Sequence, residues 1–181
     1  MDHLTDIDIM ALVQQGDLGK MGMLYERHKK GLFAYFFRCT NDRFKSEDLV
    51  QNVFERVIKY RNNFGAKSAF NHWLYKIARN VWITEYRKND PLNKMVEMNP
   101  VIESNQAIDP AEIAEQNERT AMLKHALSTI SPEKRDAIVL SRYHGMTYKT
   151  IAEMSDCSEN AIKARVMRGI VEIRNVIQNR V

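Results

Sequence analysis

Residues 131–170 read SPEKRDAIVLSRYHGMTYKTIAEMSDCSENAIKARVMRGI, and this stretch decides the fold. Ser131-Pro132-Glu133 is a strong helix start: Ser suits the N-cap, Pro sits at the first helical position where its missing N–H costs nothing, and an acid follows in the first turn. That helix ends near Gly145. Thr147 to Met154 supplies a short second helix, Ser155-Asp156-Cys157 a tight turn, and Ser158 the cap of a long helix reaching about Gln178. A short helix, a three-to-four-residue turn and a second helix are the pattern of a helix-turn-helix. Turning the long helix by about 100° per residue puts Ile162, Val166, Gly169, Ile170, Ile173 and Ile177 on its core side. Opposite lie Asn160, Ala161, Ala164 and Arg168, flanked by Lys163 and Arg165. A small-residue face with amide and cationic groups near the helix start fits a major groove and reaches base edges.

Working outward, the N-terminal part also reads as helices. Asp6 to Gln15 forms a short one, stopped by Gly16-Asp17. From Met21, the residues Leu24, Tyr25, His28, Leu32, Tyr35, Phe36 and Cys39 recur at helical spacing. Ser46 is the expected cap of the next helix, with Leu49, Val50, Val53, Phe54, Val57 and Ile58 buried. A separate polar stripe runs through Asp48, Gln51, Asn52, Glu55 and Lys59. A third helix spans about Phe70 to Arg87, with Phe70, Trp73, Leu74, Ile77, Ala78, Val81 and Trp82 inward. Its other side carries Lys76, Arg79, Asn80 and Arg87, a row spaced to track a phosphate backbone. Between these helices, residues 61–68 (RNNFGAKS) present Asn62, Asn63 and Phe64 beside cations; an exposed aromatic with such neighbours suits unstacked single-stranded bases.

The connecting stretch is different in kind. Residues 90–118 hold one Lys and seven acids, while 1–89 hold 15 Lys/Arg against 10 acids and 119–181 hold 11 against 6. Two basic lobes thus flank an acidic connector that carries three of the four prolines, and polyanions are the expected partners of the lobes. The expected organisation is an all-α chain of two small helical domains, 1–88 and 117–181, joined by a flexible acidic linker over 89–116 with a short helix starting near Pro110. A chain of 181 residues, 44% hydrophobic and 28% charged, has the balance of a folded protein and needs no disulfide or metal for stability. Cys39 and Cys157 lie far apart, which argues for a reduced, cytoplasmic protein without a thiolate metal cluster. No apolar run is long enough to span a membrane, and the acidic start MDHLTDIDIM lacks a signal-peptide pattern. No nucleophile–base pair, phosphate-binding glycine loop or metal-ligand cluster is evident, so no catalytic residue, metal or cofactor is expected.

Four segments together, LYERHKKGLFAYF (24–36), EDLVQNVFERVIKYRNNF (47–64), FNHWLYKIARNVWITEYRK (70–88) and residues 127–170, resemble a bacterial RNA polymerase sigma factor of the sigma-70 family, extracytoplasmic-function (ECF) class. The resemblance implies that the N-terminal lobe is a sigma-2 domain. Its DLVQNVF segment would dock on core RNA polymerase through Asp48, Gln51, Asn52, Phe54 and Glu55. The 61–68 loop and the helix after it would recognise and open the minus-ten element, through Asn62, Asn63, Phe64, Lys76, Arg79, Asn80 and Arg87. The C-terminal lobe would be sigma-4, reading the minus-thirty-five element with Ser158, Asn160, Lys163, Ala164, Arg165 and Arg168. Promoter DNA, core polymerase and an anti-sigma factor are the implied partners, and the acidic linker, with Glu103, Asp109, Glu112 and Glu115, is implied to lie in a positively charged polymerase channel. The chain departs from the family at Asn52, where Glu is usual; at Asp156, where Gly is usual and Asp tolerates the left-handed backbone better than most residues; and at Gly169, which replaces Ala at about 1 kcal/mol of helix propensity.

Two other classes compete. A helix-turn-helix regulator binding an operator alone, with a sensor lobe, lacks a reason for the docking motif, and a nucleic-acid-processing enzyme lacks a catalytic constellation.

Overall fold

The computed structural model describes residues 4–65, 69–88 and 110–179, with side chains from 119 onward in the last stretch. Among the described residues there are eight α-helices and no strand: α1 (Asp6–Gln14), α2 (Met21–Thr40), α3 (Arg43–Lys59), α4 (Phe70–Lys88), α5 (Pro110–Thr129), α6 (Pro132–Arg142), α7 (Tyr148–Met154) and α8 (Glu159–Gln178). Short 3-10 turns at Leu18–Lys20 and Arg61–Asn63 complete the order.

Local chemistry explains most boundaries. Thr5 caps α1 reciprocally: its Oγ1 accepts from the Asp8 amide at 3.2 Å, while the Asp8 carboxylate accepts from the Thr5 amide at 2.8 Å. Helix α2 ends on Asn41, which adopts φ 54°, a left-handed stop that Asn accommodates well. The cap of α3 corrects the sequence expectation. Asp42, not Ser46, accepts from the Lys45 amide at 3.0 Å, because an equally good capping residue lies one turn earlier, directly after the stop of α2. Ser46 is instead buried inside the helix, its hydroxyl returned to the Asp42 carbonyl. In the C-terminal lobe, Thr147 and Ser158 cap α7 and α8 through the Thr150 and Ala161 amides. Asp156 takes φ 50°, as the turn requires.

Helices α1 to α4 enclose one apolar centre, built from Ile9, Met10, Leu24, Leu32, Phe36, Val53 and Leu74 among others. Helices α6 to α8 pack around Val139, Leu140, Ile151, Ile162 and Val166, and the buried apolar residues of both lobes join in one cluster. The two lobes also touch: α2 and α4 lie against α6, and α4 against α7. Of the expected linker, residues 110–116 are helical as the start of α5, and residues 89–109, with Glu103 and Asp109, lie outside the described residues.

The mid-helix glycine has a packing role. A β-carbon at Gly169 would stand 2.7 Å from Ile138 Cδ1 and 3.3 Å from Lys134 Cβ, so Gly169 lets α8 approach α6 closely. The propensity cost noted above is thus set against helix contact.

Candidate docking and nucleic-acid surfaces

Helix α3 presents two faces. Leu49, Val50, Val53, Phe54 and Val57 are buried, whereas Asp48, Gln51 and Glu55 are exposed along one stripe. Asn52 is half-buried, and its Oδ1 accepts from Arg56 Nε at 2.8 Å. Phe54 corrects the expectation of a docking contact: it is core, with its ring edge-on to Tyr25 at 5.0 Å. Its position in the apolar i, i+3, i+4 stripe outweighs its place in the docking motif. Beside the polar stripe, between α2 and α3, lies a cavity of about 370 Å³ lined by Tyr25, Lys29, Phe33, Glu47, Val50 and Gln51.

The loop after α3 is held from α1. Gln14 Nε2 donates to the carbonyls of Arg61 and Phe64 at 2.8 and 2.9 Å, fixing a short 3-10 turn from which Asn62 and Asn63 project into solvent. Phe64 is a second correction. Only 5% of it is exposed, and it packs against Phe70 at 5.7 Å and Trp73 at 5.2 Å. Burying a phenyl group against two aromatics is favourable, so this ring turns inward and leaves the amides to face out. Ala66, Lys67 and Ser68 lie outside the described residues. Trp82 is buried as expected, and Trp73 is half-buried.

The cationic row of α4 is divided. Asn80 and Arg87 are exposed. Arg79 is not: its side chain is 12% exposed, and its Nε donates to Asp136 Oδ2 at 2.9 Å, across the seam between the lobes. Lys76 lies 3.5 Å from Asp156, the left-handed residue of the helix-turn-helix turn. The expectation that the row stands open to a phosphate backbone is therefore corrected at Arg79, which a carboxylate of the other lobe encloses, whereas Lys76 keeps 41% of its side chain exposed beside Asp156.

Asp136 gathers more. Its Oδ1 accepts from the Tyr35 hydroxyl at 2.6 Å. Burial pushes its carboxyl pKa up, against the pull of Arg79 and Tyr35. Arg135 next to it donates to the Cys39, Ser128 and Ile130 carbonyls, and its guanidinium lies over Trp82 at 5.7 Å. Across the same seam the Tyr75 hydroxyl meets His144 Nδ1 at 3.0 Å, and Arg38 lies over the Tyr143 ring at 4.4 Å. Burial, with Arg38 as a second cause, lowers the His144 pKa to about 4. Sequence reasoning missed this network. The one available signal was AIVL at 137–140, four successive apolar residues that wrap all sides of a helix and imply burial on two flanks. The neighbouring Arg135 and Asp136 must then be buried too.

On α8, Ser158, Asn160, Lys163 and Arg168 are exposed, and Ala164 is half-buried. Arg165 is also half-buried, with Nη1 3.7 Å from Cys157 Sγ, so its guanidinium leans toward the turn. Capped start, small residues and three exposed polar groups together give this face the shape and chemistry that a major groove accepts.

Comparison with known proteins gives two family matches, "Sigma-70 region 2" over residues 24–91 and "Sigma-70, region 4" over 120–173. Among curated relatives, the chain is 27% identical over 156 residues to the ECF RNA polymerase sigma factor SigX of Bacillus subtilis, covering 84% of this chain and 80% of that one. It is 27% identical over 185 residues to the ECF RNA polymerase sigma-E factor of Haemophilus influenzae, covering 98% and 97%. Its fold is similar to that of the sigma factor RpoE from Bartonella quintana, solved with the anti-sigma factor NepR, at a TM-score of 0.68 and 22% identity over 87% of this chain and 96% of that one.

Proposed function

This chain belongs to the sigma-70 family of RNA polymerase sigma factors, in its extracytoplasmic-function class, and from that membership we propose how its parts share the work. A sigma factor binds core RNA polymerase and directs promoter-specific initiation, and it has no catalytic centre of its own. The division is as follows. Residues 1–88 act as the region-2 domain, 117–181 as the region-4 domain, and 89–116 as the linker. Asp48, Gln51 and Glu55 dock on core polymerase, with Asn52 beside them holding Arg56. Asn62 and Asn63 meet the minus-ten strand, continued along α4 by Lys76, Arg79, Asn80 and Arg87. Asn160, Lys163 and Ala164 read the minus-thirty-five duplex, Arg165 completes that face from the turn, and Ser158 and Arg168 hold the backbone.

The mechanism follows from the two kinds of surface. Region 4 positions the holoenzyme by duplex readout, where phosphate contacts orient and base contacts specify. Region 2 then captures unstacked bases, and that binding offsets the few kcal/mol that unstacking costs. The observation that carries this reading is the pairing of an exposed Asp48-Gln51-Glu55 stripe inside the region-2 match with a capped, groove-shaped α8 inside the region-4 match. An anti-sigma factor is a further partner, supported by the fold shared with a sigma factor solved in such a complex. The site of action is the cytoplasm, where polymerase works; no helix among the described residues is long and apolar enough to cross a membrane. Adding the purified chain to core polymerase on a promoter library tests the whole: promoter-dependent RNA is expected. Operator binding by the free chain with no RNA would favour an independent regulator instead.

A further inference from the structure

With Phe64 turned inward, the aromatic that the loop after α3 offers to an unstacked base must come from elsewhere, and a neighbouring side chain supplies it. Tyr60, which closes the C-terminal end of α3, is 42% exposed. Lys59 Nζ stands 5.5 Å from the centre of its ring. Asn62 and Asn63 are exposed just beyond. A cation, an aromatic ring and two carboxamides thus share one surface turn over residues 59–63.

A lone exposed tyrosine is ordinary surface. What sets this one apart is the turn that carries it. The Tyr60 carbonyl accepts from the Asn63 amide at 2.8 Å, and in such an i to i+3 turn side chains three residues apart stand on the same edge. The turn therefore sets the Asn63 side chain on the edge that carries the Tyr60 ring. Gln14 of α1 clamps it through the Arg61 and Phe64 carbonyls at 2.8 and 2.9 Å. Arg61 returns its own guanidinium to the Ile58 carbonyl at 2.8 Å, and the Phe64 ring is held against Phe70 and Trp73. A turn braced in this way presents its outer groups with little further ordering to lose on binding.

We infer that Tyr60 is the stacking platform for one unstacked base of the minus-ten strand, with Asn63 at the edge of that base and Lys59 supplying positive charge for the backbone. Stacking on an aromatic ring tolerates any base, so Tyr60 contributes affinity while the asparagines contribute the choice of base. The inference rests on the reading of this loop as strand-facing. Helix α1 then enters the site through Gln14, although it lies ahead of the region-2 match, which begins at residue 24.

The test uses the holoenzyme and a fluorescent single-stranded oligonucleotide carrying the nontemplate minus-ten sequence of a promoter it transcribes. Tyr60→Ala should weaken binding on the order of tenfold, as one lost base–aromatic stack does, with thermal unfolding of the chain unchanged. Tyr60→Phe and Tyr60→Trp should bind as the wild type does, and Tyr60→Leu, which keeps bulk without a π-face, should fail as the Ala variant does. An abasic scan of the oligonucleotide leaves the protein untouched: one position should cost affinity with the wild type and cost nothing further with Tyr60→Ala. Additive losses at every position, or equal affinity of the Leu and Phe variants, overturn the inference. Asn62→Ala with Asn63→Ala tests the underlying reading separately. Unchanged oligonucleotide binding and promoter opening in that variant sink the reading and the inference with it. Impaired binding there, with wild-type affinity in Tyr60→Ala, sinks the inference alone.

Discussion

Arg79 of α4 and Asp136 of α6 join the two lobes by a hydrogen-bonded ion pair of 2.9 Å, 57 residues apart in sequence, and the Tyr35 hydroxyl completes the site from α2 at 2.6 Å. Three helices from both lobes therefore meet on one buried carboxylate. Its desolvation is offset only while both donors are present, and this dependence makes the seam sensitive to small changes.

The docking stripe can be tested without disturbing the fold. Asp48, Gln51 and Glu55 are exposed, and surface changes of this kind stay within about ±0.5 kcal/mol each. The triple alanine variant should unfold in urea as the wild type does yet lose most binding to core polymerase. Holoenzyme formation at wild-type affinity would return the stripe to ordinary solvated surface.

Phe64 now gives a different expectation from the one its sequence suggested. As a buried ring against Phe70 and Trp73, its replacement by Ala should destabilise the N-terminal lobe by roughly 3–5 kcal/mol, the cost of emptying an aromatic site. Denaturant titration reads this directly. A variant of native stability that fails only on closed promoters would favour base stacking after all.

The Gly169 contact yields a double-mutant cycle. Gly169→Ala gains about 1 kcal/mol of helix propensity but must displace Ile138 Cδ1 in a packed core, and overpacking of this kind costs about 1–3 kcal/mol. The single change should be net destabilising. In an Ile138→Val background, which removes that atom, Gly169→Ala should become stabilising. An unchanged effect in both backgrounds would mean that Ile138 is not the obstacle.

His144 sets a pH dependence whose sign is fixed by burial. Its pKa falls from the usual 6.5 to about 4 within the seam, where Tyr75 from α4 and Tyr35 and Arg38 from α2 face it. Above pH 6.5 the ring is neutral whether the chain is folded or not, so nothing is lost. As pH falls from 6.5 to about 4, the unfolded chain takes up a proton that the seam refuses, and stability declines. Asp136, with its raised pKa, acts in the opposite direction at the acid end. Asp8, lowered by its bonds with Thr5, and Asp6, lowered by Arg27 and His28 despite burial, lose their contributions only below the ordinary carboxylate range. Thermal unfolding of wild type and His144→Gln at pH 7 and pH 5 isolates the effect: the wild type should lose more. Equal losses would remove His144 from the account.

How much of this was legible in sequence follows from the range of the interactions. The helix-turn-helix needed only local chemistry, and Ser158, Thr147 and the positive-φ Asp156 do what their residue types suggest. The face of α8 followed from helical rotation. Phe64 departs from its expectation because an aromatic serves a core and a binding surface equally well by composition, whereas Phe54 is buried as its place in the apolar stripe predicts. Helical rotation sets Arg79 on the polar side of α4, but what covers it comes from α6, and nothing near Arg79 in sequence announces Asp136.

The guanidinium of Arg135 closes on three backbone carbonyls, Cys39 near the end of α2 and Ser128 and Ile130 around the end of α5. Helix ends leave their last carbonyls without partners, so one side chain completes the termini of two helices that belong to different lobes. Amide hydrogens in the last turns of α2 and α5 should then exchange with solvent through a common opening, at one shared protection level, and not as two independently fraying ends. The corner where the lobes meet would behave as a single cooperative unit drawn from both.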